Sequence, residues 1–170
     1  MKIDQLQQVL AAVFYLANRL QNQGDQVHPQ LTMRQWMLLL SAAHLDEAAT
    51  YSSIAQTMGC TKQNVKQLAS VLFKKGYLLH TPHPTDCRAV WLRISPEGRA
   101  VMQEYYRSRD TLLLPLTQLY SEEELSALLA LLNRFITYAD PNRHGYEENV
   151  AFLAAAPPAS AKEAASCQSK

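Results

Sequence analysis

Glycine is scarce in this chain, five in 170 residues. With its Leu- and Ala-rich helical patterns, that argues for a mainly helical protein. Cysteine is scarcer. Cys60, Cys87 and Cys167 are odd in number and far apart, which points to reduced thiols in a cytosol rather than a disulfide framework. No apolar run approaches the roughly 18 residues needed to span a bilayer. The opening MKIDQLQQVL, with an acid at position 4, is no secretory hydrophobic region. A cytoplasmic protein without membrane contact is therefore expected. The chain also lacks a nucleophile–base pair, a glycine-rich phosphate loop and paired catalytic carboxylates, so no enzyme and no cofactor is expected. Internal repeats are absent.

What is present suits a globular domain: 48% of residues are hydrophobic and 18% charged. The net charge of +1 is uninformative, but its distribution is not. Between Thr50 and Thr85 there is no Asp or Glu at all. Residues 59–93 carry Lys62, Lys66, Lys74, Lys75, Arg88 and Arg93 against Asp86, a balance of +5; the remainder has ten basic against fourteen acidic residues, or −4. A basic segment on an acidic body makes a directed positive face.

Apolar periodicity organises the rest. Ile3, Leu6, Leu10, Val13, Ala17 and Leu20 make one stripe of a helix over 3–22. Thr32 caps a second helix, apolar almost all round from Trp36 to Leu40 and so deeply buried. Thr50 caps a short third helix over 51–58, with Ile54 and Met58 facing inward, and Gly59 ends it with a left-handed turn. Thr61 caps a fourth over 62–75, whose buried side is Val65, Leu68, Ala69, Leu72 and Phe73; Gly76 follows its last turn. Tyr77–Thr81 and Ala89–Ile94 read as strands around a Pro-rich loop. Ser95-Pro96-Glu97 starts a fifth helix toward Leu119, with Pro115 predicting a kink or break near Thr111–Leu114. Ser121 to Glu124 is a capping box opening a sixth, to about Tyr138, with Leu125, Leu128, Leu129, Leu132, Phe135 and Ile136 on one side. Residues 145–155 read as a weak helix and 156–170, rich in Ala, Pro and Ser, as disordered.

The third and fourth helices, separated by a tight turn, read as a helix-turn-helix, and the strands with their loop as a β-wing. Thr61, Lys62, Gln63, Asn64, Lys66, Gln67, Ser70 and Lys74 lie off the buried stripe of the fourth helix. Asn and Gln pair bidentately with adenine, and Lys reaches guanine or phosphate. A helix N-terminus with the Thr61 hydroxyl favours a phosphate. In the wing, Arg88 is a candidate for the minor groove, with Asp86 bracing it. The alternative for these side chains is a solvated face and a surface ion pair worth little.

The order of elements resembles that of the MarR (multiple-antibiotic-resistance-type) regulators. So do several local patterns: Leu31-Thr32 with Gln35-Trp36, Ile54-Ala55 with Gly59 and Thr61, Leu72 with Lys75-Gly76-Tyr77-Leu78, Asp86-x-Arg88, Leu92-x-Ile94-Ser95 and Glu97-Gly98. The resemblance covers roughly 5–138 and departs from the family in its short, Pro-rich wing and in Gln67, where many members carry Arg. It implies a mainly α winged helix-turn-helix with six main helices and an antiparallel wing. The partners implied are double-stranded DNA at a palindromic site and a second copy of the chain. Residues 1–140 would form the domain, with 31–94 as the DNA-binding lobe and 1–22 and 96–138 as dimerisation helices; 141–170 would be a tail. Apolar surface on the first, fifth and sixth helices, Leu112, Leu113, Leu114, Leu116 and Leu119 above all, also exceeds what one small core covers.

The resemblance further implies a repressor released by a small aromatic or amphipathic effector, in a cleft lined by Tyr15, Trp36 and His44. The same residues also read as core aromatics and a helix-end histidine. Cys60 sits where a helix dipole lowers a thiol pKa, but also where a small buried residue is wanted. Cys87 lies in the wing, next to the expected DNA contact. A redox-responsive regulator using Cys87 or Cys60, and a winged helix that binds protein instead of DNA, are the alternatives. His80-x-x-His83-x-x-x-Cys87 has spacing a metal could use, but prolines stiffen it and no fourth ligand is evident, so no metal is expected.

Overall fold

The computed structural model describes residues 2–45, 49–82, 90–108 and 110–141. Its elements are α1 (Lys2–Gly24), α2 (Met33–Leu45), α3 (Tyr51–Met58), α4 (Lys62–Lys74), β1 (Leu78–Pro82), β2 (Val90–Ile94), α5 (Pro96–Ser108), α6 (Asp110–Thr117) and α7 (Glu122–Ala139). They fall into two compact units, Met1–Leu119 and Tyr120–Lys170.

In the first unit the core sits among α2, α3, α4, the two strands and α5. Leu31, Leu38, Leu39, Ile54, Val65, Leu72, Leu78 and Leu92 are its largest fully buried side chains. α2 is central, as its nearly continuous apolar run requires: Leu38 to Ala42 are all buried. Its start is a reciprocal cap. The Gln35 amide N–H donates to the Thr32 hydroxyl, and the Thr32 N–H to the Gln35 side-chain oxygen, both at 3.3 Å. β1 and β2 pair antiparallel, from Leu78 opposite Ile94 to Pro82 opposite Val90. A further backbone bond, Leu92 N–H to the Ala49 carbonyl at 2.8 Å, ties the sheet to the segment before α3.

The long helix α1 forms where its stripe predicts, but Gly24 is its one buried residue. Phe14 is 72% exposed and Leu6, Val9, Leu10 and Val13 all lie open. The stripe is therefore uncovered by this chain's first unit, although it holds the spacing of a buried face. Only the C-terminal end of α1 is anchored. There the Tyr105 hydroxyl of α5 donates to the Gly24 carbonyl at 2.9 Å, and Asp25 accepts the Met33 N–H at 2.8 Å. Tyr105 stacks on Trp36, centroids 5.2 Å apart, and the Trp36 indole N–H donates to the Met102 carbonyl at 3.2 Å.

After the wing, helix is described over Pro96–Ser108 and over Asp110–Thr117, with residue 109 between them outside the described residues. Thr111–Leu114, where a kink or break was expected, are helical, and Pro115 lies inside the second stretch. Taken together as the fifth helix that was expected, α5 and α6 leave six main helices among the described residues. No residue of α6 is buried.

In the second unit, α7 starts as expected. The Glu124 N–H donates to the Ser121 hydroxyl at 3.3 Å, and the Ser121 N–H to the Glu124 carboxylate at 2.9 Å. Its residues Leu125, Leu128, Leu129 and Phe135 are exposed. The expected weak helix over 145–155 and the tail beyond lie outside the described residues.

Two measurements test this frame. A Cβ added at Gly98 would meet the Tyr77 carbonyl oxygen and Ile94. Gly98→Ala should therefore cost about 1–3 kcal/mol in urea unfolding; an unchanged midpoint would mean that α5 does not press on the strand base. Burial, and secondarily the Asp25 carboxylate, push the Tyr105 phenol from 10.0 up to about 12. The fold favours the neutral phenol, so its contribution is complete below 10.0 and is lost as pH rises through about 12. Unfolding free energy should fall with pH across that window, and Tyr105→Phe should lose that part of the slope.

Candidate nucleic-acid interface

The turn between α3 and α4 is built by local chemistry. Thr50 and Ser53 cap α3 reciprocally: Ser53 N–H to the Thr50 hydroxyl at 3.1 Å, Thr50 N–H to the Ser53 hydroxyl at 2.9 Å. Gly59, at φ 63, closes the helix with its N–H on the Gln56 carbonyl at 3.2 Å, and Cys60 N–H reaches Ala55 O at 3.0 Å. Two residues later Thr61 opens α4, accepting the Asn64 N–H at 3.2 Å.

α4 is two-faced. Val65, Ala69 and Leu72 are buried; Lys62, Gln63, Lys66, Gln67, Ser70 and Lys74 are exposed, as is Thr61, and Asn64 is half-buried. This arrangement presents cations, amides and a hydroxyl side by side with no carboxylate on the helix. Its far end is held firmly. Gly76, at φ 73, donates its N–H to Phe73 O at 3.0 Å, and Tyr77 N–H reaches Leu72 O at 2.9 Å. Lys75 turns away from the exposed face: its ammonium donates to the Gln30 carbonyl at 2.7 Å and to Gln35 Oε1 at 3.4 Å. Of the four lysines of the basic segment, Lys75 therefore braces the loop before α2.

The wing loop with Asp86, Cys87 and Arg88, and His83 of the metal-spaced set, lie outside the described residues. At the loop's base a cluster appears that periodicity does not reveal. The Tyr51 hydroxyl and His80 Nε2 are 2.9 Å apart, the His80 ring lies 3.9 Å from that of Phe73, and the Lys66 ammonium stands 6.0 Å from the Tyr51 ring centre. α3, α4 and β1 meet there through side chains up to 29 positions apart. The absence of acids and the position of Tyr51 beside the cap were the available signals, and neither specifies the contact.

Of the effector candidates, Tyr15 is exposed on α1, Trp36 is packed on Tyr105, and His44 is exposed near the end of α2. None of the three lines a cavity found among the described residues between α1, α2 and the α3–α4 turn. That cavity, of about 330 Å³, is walled by Ala17, Leu20 and Gln21 of α1 and by Met33, Arg34 and Met37 of α2. Met58, Gly59 and Cys60 of the turn, with Asn64 and Leu68 of α4, close it. Burial pushes the Cys60 thiol up, with Arg34 opposing. A thiol activated by the helix terminus is not what this site provides.

No protein-family model matches the chain. An uncharacterized HTH-type transcriptional regulator, YhjH of Bacillus subtilis (strain 168), is 27% identical over 121 residues, covering 69% of each protein. Among solved structures, the transcriptional regulator BldR from Sulfolobus solfataricus superposes with a TM-score of 0.72 at 18% identity, over 81% of this chain and 99% of that one. A MarR family protein from Bacillus stearothermophilus matches at 0.59 and 18%, over 82% and 98%. The chain has the winged-helix fold of the MarR family. MepR of S. aureus, solved in complex with DNA, shares that MarR fold at a TM-score of 0.69 and 20% identity, over 76% of this chain and 96% of MepR.

Proposed function

We propose that this protein is a DNA-binding transcriptional regulator, a homodimeric repressor of a palindromic site. The observation that carries the reading is the face of α4: Lys62, Gln63, Lys66, Gln67, Ser70 and Lys74 exposed together on a helix without a carboxylate, directly after a helix-turn-helix turn. The lysines supply phosphate attraction and the amides supply base-edge pairing. Arg88 of the wing adds a secondary contact, with Asp86 as its brace. In this reading 31–94 is the DNA-binding lobe and 141–170 a tail.

The second copy follows from apolar surface. α1, α6 and α7 expose Ile3, Phe14, Leu16, Leu114 and Leu131, among others, and Leu119 after α6 is exposed as well. Such faces are costly to leave in water and are the material of obligate interfaces. Helices 1–22 and 96–138 would join two chains about a two-fold axis, setting the recognition helices one DNA turn apart, roughly 34 Å.

Lys62→Ala or Lys66→Ala should weaken binding to the DNA upstream of the chain's own gene and lower the salt slope by about one, leaving the dimer intact. Unchanged affinity would refute the recognition-helix assignment, and no salt-sensitive binding by the parent protein would leave the protein-binding module standing. Sedimentation without DNA should give a dimer; a clean monomer at micromolar concentration contradicts the two-fold arrangement.

A further inference from the structure

We propose that His80, at the base of the wing, takes up a proton as the protein binds DNA, and that the Tyr51–His80 pair then holds a backbone phosphate beside α4. The inference deepens the DNA-binding reading and rests on it. The pair lies at the surface: His80 is exposed on β1, and Tyr51 is half-buried at the start of α3. The Tyr51 hydroxyl and His80 Nε2 are 2.9 Å apart. The two rings meet edge to face, centroids 6.3 Å apart, and the Phe73 ring of α4 lies 3.9 Å from the imidazole. Two helices thus fix the position of an imidazole that solvent still reaches.

The groups that face His80 favour an anion. From α3 it meets Tyr51. From α4 it meets Phe73, and the Lys66 ammonium stands 6.0 Å from the centre of the Tyr51 ring. From β2 its cross-strand partner is the buried Leu92. Lys66 is the charged member of this set. The sequence from Thr50 to Thr85 holds no Asp or Glu, and among the described residues no carboxylate pairs with His80. Imidazole is the side chain that ordinarily changes charge between about pH 5 and 8. A cationic form here has Lys66 beside it, and the anion that a duplex brings is its phosphate.

The hydrogen bond gives protonation a direction. A neutral imidazole either accepts the phenol proton or donates its own; an imidazolium only donates. Charged His80 therefore gives its Nε2–H to the Tyr51 oxygen, and the phenolic O–H is released to point outward at a phosphate oxygen. Burial pushes the Tyr51 phenol up, so its proton stays in place. One proton comes from solvent, one charge-assisted contact forms, and no covalent bond changes. Phosphate favours the charged imidazole. Affinity should therefore rise as pH falls through the histidine range, and level off once free protein and complex are both protonated.

The test is binding of the full chain to the DNA upstream of its own gene, from about pH 8 down to about pH 5.5, at fixed ionic strength. Affinity should rise about tenfold toward the acid end, and the salt slope should steepen by about 0.9, the mark of one added phosphate contact. His80→Gln, which keeps a partner for Tyr51 but no charge, should make affinity and slope independent of pH over this range. Tyr51→Phe should lose most of the acid gain, whereas His83→Gln should keep it. Should His80→Gln fail to fold, as thermal unfolding would reveal, Tyr51→Phe decides: loss of the gain supports the pair and retention overturns it. The pair is also overturned if the gain survives in His80→Gln or disappears in His83→Gln. Salt-sensitive DNA binding that ignores pH in the parent protein refutes the proton uptake and leaves the DNA-binding reading intact. Absence of salt-sensitive binding at every pH refutes both.

Discussion

One buried hydroxyl fixes how the recognition helix, the wing and the following helix meet. Ser95 is 2% exposed. Its hydroxyl donates to the Gly76 carbonyl at 2.6 Å and accepts the Gly98 N–H at 2.9 Å, and its own N–H donates to the Tyr77 carbonyl at 3.1 Å. Three segments, the end of α4, the base of the sheet and the first turn of α5, are thus tied at a single residue. In a water-poor setting each of these bonds is strengthened, and each unpartnered group would cost about 1–3 kcal/mol. The left-handed turn at Gly76 is what aims its carbonyl at Ser95, and the missing side chain of Gly98 is what lets α5 approach the Tyr77 carbonyl. The two glycines and the serine form one device.

A second lock acts from the other side. Lys75 and the Tyr77 hydroxyl both bond to Gln30, at 2.7 and 3.1 Å, and Gln35, itself capping α2, takes part through the Lys75 ammonium. The C-terminal end of α4 is therefore gripped by the wing base and by the loop before α2 at once. Its exposed residues are left to face outward on a helix that cannot easily rotate about that end.

Much of this was legible in the sequence because it is local. Thr32, Thr50, Thr61, Ser95 and Ser121 each cap the helix expected of them, and Gly59 and Gly76 adopt positive φ where a helix must stop. Buried and exposed sides of α4 followed from its period. The limits are equally physical. The stripe of α1 has the spacing of a buried face, yet spacing does not say which surface buries it; in this chain's first unit nothing does. Proline chemistry predicted a kink or break near Thr111–Leu114, yet these residues are helical and Pro115 sits inside the helix Asp110–Thr117. Lys75, Tyr51 and His80 owe their roles to partners 29 to 45 positions distant, which no local period encodes. The cavity likewise needs four helices in place before Met33, Met37 and Met58 face one space.

These asymmetries give α4 a mechanical character. Its C-terminal end is fixed by Ser95, Lys75 and the turn at Gly76, all through hydrogen bonds of about 3 Å or less. Its N-terminal end is held by the Thr61 cap and by packing of Leu68 and Asn64 along an open space. A hydrogen-bonded joint resists displacement, whereas a wall with no atoms behind it forfeits dispersion contacts and yields more readily. In the proposed reading the first residues of α4 meet the bases, so the helix is most compliant where its contacts carry sequence information and stiffest where it is joined to the rest of the fold. In that reading a small displacement there would misplace base-edge hydrogen bonds while leaving the core unchanged.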